Sequence, residues 1–241
     1  MRPSLPVSYM LGFKIDMNSI EKEVFYLEES KKLCELVNRN LTDKIEAASL
    51  SHNSKLPFKA LSLKELLIYR IADLSEVTLQ LYEDKKLVSA IILTRSVFET
   101  SSILYWLRKR LVSAVETQEL GNIDEFFMKH LFGTAEDFIP VDRYNVLTAI
   151  DHVDKDIENY RKSYDSLSEF AHPNWPGLMG AYGKADRKKY TLHLGKGIGE
   201  IPIIVALPLF AGSLKMAVFV YNEMEKTLIA FNELCDVKHR H

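Results

Sequence analysis

The sequence predicts an all-α fold, an up-and-down helical bundle with a small β-hairpin inserted before the C-terminal helix. Three observations predict it. Apolar residues recur at steps of three and four through most of the chain, the spacing of one helix face. Polar breaks between these runs are short, as in a bundle of antiparallel neighbours. Residues 172–199 change character, giving short runs bounded by Pro, Gly and a charged turn, the signature of a hairpin.

At 241 residues, 47% hydrophobic and 27% charged, the chain is long enough for one large domain. Its pattern divides into an arm over 1–18, one helical domain over 19–236 and a mobile tail over 237–241. A net charge of −2 excludes a global basic field for nucleic acid. Cys34 and Cys235 each sit in a helix-like run, so a reducing, cytoplasmic setting is expected. The first residues lack the apolar core of a signal peptide, because Lys14 and Asp16 interrupt it. Residues 201–221 are mostly apolar but carry Pro202, Pro208, Gly212, Ser213 and Lys215. They are expected to form a buried helix, and no membrane partner is expected.

In order, an amphipathic helix is expected over 19–40, extending towards Ala48, and a loop over 49–58 ending in Leu56-Pro57-Phe58. Ser62 and Glu65 form a capping-box spacing before a helix to about Tyr82. Glu83, Asp84, Lys85 and Lys86 make a turn. The run 87–107 follows, apolar on nearly every side, with Arg95 and Glu99 its only charges. It reads as a central helix ending near Arg108, Lys109 and Arg110, cations suited to the negative end of the dipole. Gly121 and Asn122 break the chain before a short helix over 123–131 and a loop over 133–140. A long helix over 142–171 carries Val146, Ile150, Val153, Ile157, Tyr160, Tyr164, Leu167 and Ala171 as a lengthwise seam. His172 stops it, since the residue before Pro173 is pushed out of helical conformation. Strands are expected over 178–184 and 189–194, a connector over 195–199, and a last helix over 203–234 with a kink at Pro208.

Most candidate chemistry dissolves under its own spacing. Gly195, Gly197 and Gly199 lack the third glycine at dinucleotide spacing and the βαβ setting. His130, His152, His172 and His193 show no zinc-ligand spacing, so neither metal nor cofactor is expected. What remains is Arg95, Glu99, Ser168 and His172. Arg95 and Glu99 are one turn apart on one face, which Ser102 and Trp106 extend. Arg before Glu is the less favourable order for a pair within one helix, so each is expected to find a partner on another element. Ser168 and His172 are also four apart, in the last turn of the seam helix, where the dipole favours an imidazolium. If the helices pack, Glu99 meets His172 and Arg95 meets an anion, an acid/base and oxyanion set for phosphodiester chemistry. The alternative is a buried polar network that fixes helix register.

Arg95-Ser96-Val97-Phe98-Glu99 resembles the R-S-x-x-E signature of a group of uncharacterised bacterial helical proteins. Leu167-Ser168-Glu169-Phe170-Ala171-His172-Pro173 resembles the same group's second signature, which ends a helix on His-Pro. Their layout is similar to HEPN domains (higher eukaryotes and prokaryotes nucleotide-binding), over roughly residues 60–235. The resemblance implies a helical bundle, a homodimer, and a role in bacterial defence or stress response. Many HEPN proteins are metal-independent RNases whose motif is Arg, four to six residues, then His. Only His172 matches the His. The upstream positions hold Asp165, Ser166 and Leu167, and Arg161 lies too far back, which weighs against cleavage.

Three readings follow. The first is a HEPN-like domain binding a partner or a small anionic, nucleotide-like ligand, with Arg95, Glu99, Ser168 and His172 lining the pocket. The second is an RNase, with His172 as general acid/base and Arg95 stabilising the phosphorane. The third is a structural dimerisation module.

Overall fold

A computed structural model describes residues 19–39, 41–51, 53–134, 141–199 and 203–238. The expected arm over 1–18, the loop residues 135–140 and the last three residues of the tail lie outside the described residues. The chain is an all-α bundle with one antiparallel hairpin before its last helix.

Two long helices make the centre. Helix α3 (Leu87–Thr117) and helix α8 (Ile203–Lys238) form the most extensive helix pair of the fold. Helix α1 (Ser19–Arg39) and helix α2 (Leu56–Glu83) pack around them. Short helices α4 (Ile123–Phe132), α5 (Val146–Asp154) and α6 (Tyr160–Ala171) close the bundle, α5 and α6 against α3 and α4 against α2. By length and composition, Leu87–Thr117 and the Val205–Lys238 part of α8 are apolar enough to cross a membrane. Half or more of each apolar window is buried inside the fold, as in a central bundle helix. Buried aromatic rings tie the layers together. Phe98 stacks on Tyr160 at 4.1 Å, and the Tyr82 hydroxyl meets Thr94 Oγ1 at 2.8 Å.

The α2–α3 turn is sharp because α2 ends in a Schellman motif. Lys86 N donates to Leu81 O at 2.9 Å and Lys85 N to Tyr82 O at 3.1 Å, with Lys85 left-handed at φ 57°. This turn makes α2 and α3 antiparallel and puts the face of Arg95 opposite α6.

Several expected boundaries move, each for a local reason. Helix α2 starts at Leu56, with Pro57 in its first turn, where a missing N–H costs nothing. Ser62 and Glu65 therefore lie inside the helix and cap nothing. Glu65 is instead buried, 2.7 Å from Lys64 Nζ, and accepts from the Tyr221 hydroxyl of α8 at 3.1 Å. The Lys64 ammonium also lies 3.4 Å from the centre of the Tyr221 ring. Helix α3 continues past Arg108, Lys109 and Arg110 to Thr117, so these cations leave the helix end free and bind neighbours. Lys109 Nζ donates to Asp156 at 2.6 Å and Arg110 to Asn122 Oδ1 at 2.5 Å.

The seam is the largest correction. Its residues from Val146 to Leu167 pack on the core, but they do not form one helix. Residues 155–159 separate α5 from α6, and Asn159 is left-handed at φ 63°. Asp154 Oδ1 accepts from Arg161 N at 2.9 Å and so starts α6. Asp156 is pulled onto α3 by the Tyr105 hydroxyl at 2.9 Å and by Lys109. The break lets two short helices follow the surface of α3 where one straight helix would leave it.

The expected first strand is also partly helical. A single turn α7 (Met179–Tyr182) precedes β1 (Gly183–Asp186), which pairs with β2 (Thr191–Leu194). Gly199 packs against the backbone of Gly180 and Ala181, where any Cβ would clash. Close packing accounts for that glycine with no phosphate. Helix α8 runs on through Pro208, near its start, and includes Val237 and Lys238 of the expected tail.

Candidate functional site

Helices α3 and α6 run antiparallel, and their register places Tyr164 over one turn of α3. The Tyr164 hydroxyl donates to Glu99 Oε1 at 2.9 Å. It accepts from Arg95 Nη2 at 2.8 Å and Nε at 3.3 Å. Arg95 Nε also lies 3.1 Å from Glu99 Oε1, closing a three-membered ring of polar groups. A turn away, Ser102 Oγ meets the Tyr160 hydroxyl at 2.9 Å. The partner expected for Arg95 and Glu99 on another helix is thus Tyr164. By its spacing Tyr164 belongs to the apolar seam. Its hydroxyl was the overlooked signal, because a tyrosine at a seam position brings a polar tip that needs a partner.

The ring is half-buried, with the Arg95 side chain 28% exposed and that of Glu99 24% exposed. Burial works against the Arg95 charge, but the Tyr164 hydrogen bond and the Glu99 carboxylate outweigh it and raise its pKa. Arg95 is therefore a fixed cation whose Nη1 edge carries no hydrogen bond among the described residues.

Ser168 and His172 are not bonded to this ring. Ser168 Oγ donates back to Tyr164 O at 3.0 Å, the usual resting place of a helical serine. His172 caps the C-terminus of α6 in extended conformation and is exposed. It follows Tyr164 by eight residues, about 12 Å along a helix axis. Arg161 is fully engaged by Asp151 at 2.6 Å and Asp165 at 3.1 Å.

On the core side of the ring the packing is tight. A crevice of about 20 Å³ beside Phe98, Tyr160 and Ser163 is water-sized. A roomier cleft of about 570 Å³ opens at the N-terminal end of α3, lined by Asp84, Lys85, Lys86, Val88, Tyr182 and Lys196, with Lys85 paired to Glu23 and Lys86 to Asp84 at 2.9 Å. That volume is in the range of small-ligand sites. Val88, Ile92 and Arg95 follow one another at helical spacing, so the cleft and the ring share one face of α3, about 10 Å apart along its axis.

Among the described residues no group of His, Cys, Asp and Glu is arranged to hold a metal ion. Both cysteines are buried, and burial pushes each thiol up to about 11. Neither is a nucleophile at neutral pH.

Fold and site together define a helical bundle with a pinned Arg–Tyr–Glu ring at the seam of two helices. No protein-family model, curated protein or solved structure matches the chain.

Proposed function

We propose that the chain is a HEPN-like helical domain that binds a small anionic, nucleotide-like ligand along the exposed face of α3. One observation carries this reading: Arg95 is held rigid by Tyr164 and Glu99 while its Nη1 edge stays uncommitted. A fixed guanidinium with a free edge is suited to a phosphate or carboxylate oxygen, because little side-chain entropy is left to lose. The cleft beside Lys196 supplies room for the rest of such a ligand. Homodimer formation and a bacterial defence or stress role rest on the resemblance of the two sequence phrases alone.

Binding is favoured over RNA cleavage. A general acid/base at His172 needs the phosphate near Arg95 and the imidazole at once, and Ser168 and Arg161 are both committed elsewhere. The test is titration with a panel of nucleoside mono-, di- and triphosphates, read by calorimetry. Arg95→Met should weaken binding by at least about tenfold, the value of one charge-assisted hydrogen bond, with the circular dichroism spectrum unchanged. An Arg95→Met protein that binds as wild type does rejects the reading. RNA cleavage lost in His172→Ala would replace it with the RNase.

A further inference from the structure

The hairpin stands apart from the bundle. Every residue of β2 is exposed, and the strand pair touches α7 and little else. Its register sorts the side chains by face. Gly183 pairs with Leu194 and Ala185 with Leu192 on one side, and Lys184 with His193 and Asp186 with Thr191 on the other. One face is therefore apolar; Met179 of α7 reaches only its Gly183 end, and Leu192 stays 50% exposed. Leu194 is 74% exposed, and Trp175 and Leu178, just before the hairpin, are 71% and 52% exposed.

Charge is concentrated in the same place. Lys184, Arg187, Lys188, Lys189 and Lys196 stand against the single acid Asp186, in a chain whose net charge is −2. Asp186 is already used by the turn, accepting from Lys188 N at 3.0 Å and Lys189 N at 3.1 Å. Lys184, Arg187 and Lys196 have no ion-pair partner among the described residues. At the tip, Tyr190 is left-handed at φ 53°, a position that favours Gly or Asn, and is 96% exposed. Among the described residues no contact offsets that strain or that exposure.

We propose that the hairpin docks the protein on an anionic lipid surface, with Leu192, Leu194 and Trp175 at the acyl boundary and the lysines among the headgroups. Charge complementarity and apolar area together choose this occupant. Two hairpins stacked on their leucine faces would cover Ala185, Leu192 and Leu194 but leave the tip cations Arg187, Lys188 and Lys189 of both copies without an anionic partner. A single-stranded nucleic acid would use the cations and the aromatic rings but leave Leu178, Leu192 and Leu194 in water. A bilayer interface takes cations, aromatic rings and aliphatic side chains at once. Among the described residues both outer edges of the two-stranded pair lack partners, so the backbone stays at the hydrated headgroup level and does not enter the hydrocarbon. The proposal departs from the expectation of no membrane partner, and docking by a hairpin needs no spanning segment. Lys196 also lines the ligand cleft, so the tested variants leave it in place, and ligand binding at Arg95 and docking by the hairpin fail separately.

The test is flotation of the full chain with phosphatidylcholine vesicles, with and without phosphatidylglycerol. Wild type should float only with the anionic vesicles, and less so as salt rises. Arg187→Ser/Lys188→Ser/Lys189→Ser should weaken binding on the order of a hundredfold. Leu192→Ser/Leu194→Ser should weaken it by at least about tenfold. Melting curves check that both variants fold. Tyr190→Gly, which relieves the backbone strain, supplies a third variant that should melt no lower and float less. Wild-type binding that is absent, or indifferent to lipid charge or to salt, overturns the proposal. Flotation unaffected by the leucine change also overturns it. So does RNA binding that needs the cations but not the leucines, with no flotation, or a dimer that the leucine change dissociates.

Discussion

Burial leaves His130 with one nitrogen bonded and the other bare. Phe126 O, which can only accept, takes the Nδ1 proton at 2.8 Å, while Nε2 is buried with no partner. The ring is wedged between Phe126 and Tyr144, at 4.2 and 3.9 Å. Burial pulls its pKa down from 6.5 to about 4. Above pH 6.5 the imidazole is neutral in both folded and unfolded chains, so its contribution to stability is complete. As pH falls from 6.5 towards 4, the unfolded chain takes up a proton that the folded one refuses. Stability should drop over that window by up to ~3 kcal/mol. Urea unfolding at a series of pH values reads this directly, and His130→Phe should flatten the slope. An unchanged slope in His130→Phe would assign the acid sensitivity elsewhere.

Between elements, α2 and α8 are tied by a charge pair that apolar periodicity does not reveal. Lys64 and Glu65 are 6% and 5% exposed, and both contact Tyr221. Breaking such a pair strands a buried charge, whereas replacing both members need not. Glu65→Gln should cost about 3–5 kcal/mol, while Lys64→Met/Glu65→Leu should be close to neutral or stabilising, both read by thermal melts. The α5–α6 break makes a second prediction. Asn159 holds a left-handed backbone at φ 63°, so Asn159→Ala should cost about 1 kcal/mol and Asn159→Gly almost nothing. Equal losses for Ala and Gly would mean that the side chain, not the backbone, sets the corner.

These same elements mark what was legible in the sequence. Helical class and hairpin position were legible, because burial follows apolar period whatever the helix boundaries. Val146, Ile150, Val153, Ile157, Tyr160, Tyr164 and Leu167 do turn towards the core. The break among them was not, because it depends on Asp156 finding Lys109 and Tyr105, nearly fifty residues away in the chain. Arg95 and Glu99 stood out as charges in an apolar run. Tyr164 did not, since a tyrosine scores as apolar until its hydroxyl is given a partner. Ser62 and Glu65 misled because the capping spacing is local, while the fate of Glu65 is decided by Tyr221 on the last helix.

At the scale of the whole molecule, stability is unevenly spread. Side chains from α2, α3 and α8 dominate the core, while β1 and β2 pack mainly on each other. Amide exchange should be slowest in α3 and α8 and fastest in residues 183–194. Replacing residues 185–192 by a short Gly-Ser turn should leave the melting temperature within a few degrees of wild type. A large drop would show that the hairpin holds up the bundle.

The pairing of α3 with α8 also has a cost in time. During synthesis α3 is finished long before its main partner, which is made more than eighty residues later. At ribosomal speeds of about 5–20 residues per second, that gap lasts on the order of ten seconds. Through it the nascent chain presents a helix with a mean hydropathy of 1.4 over its most apolar window and no α8 to cover it. Chaperones and the membrane-targeting machinery sample emerging chains in that interval, while α3 is still uncovered. Arg95 and Glu99, placed in the middle of that window, are the two residues that make it a poor passenger for the translocon.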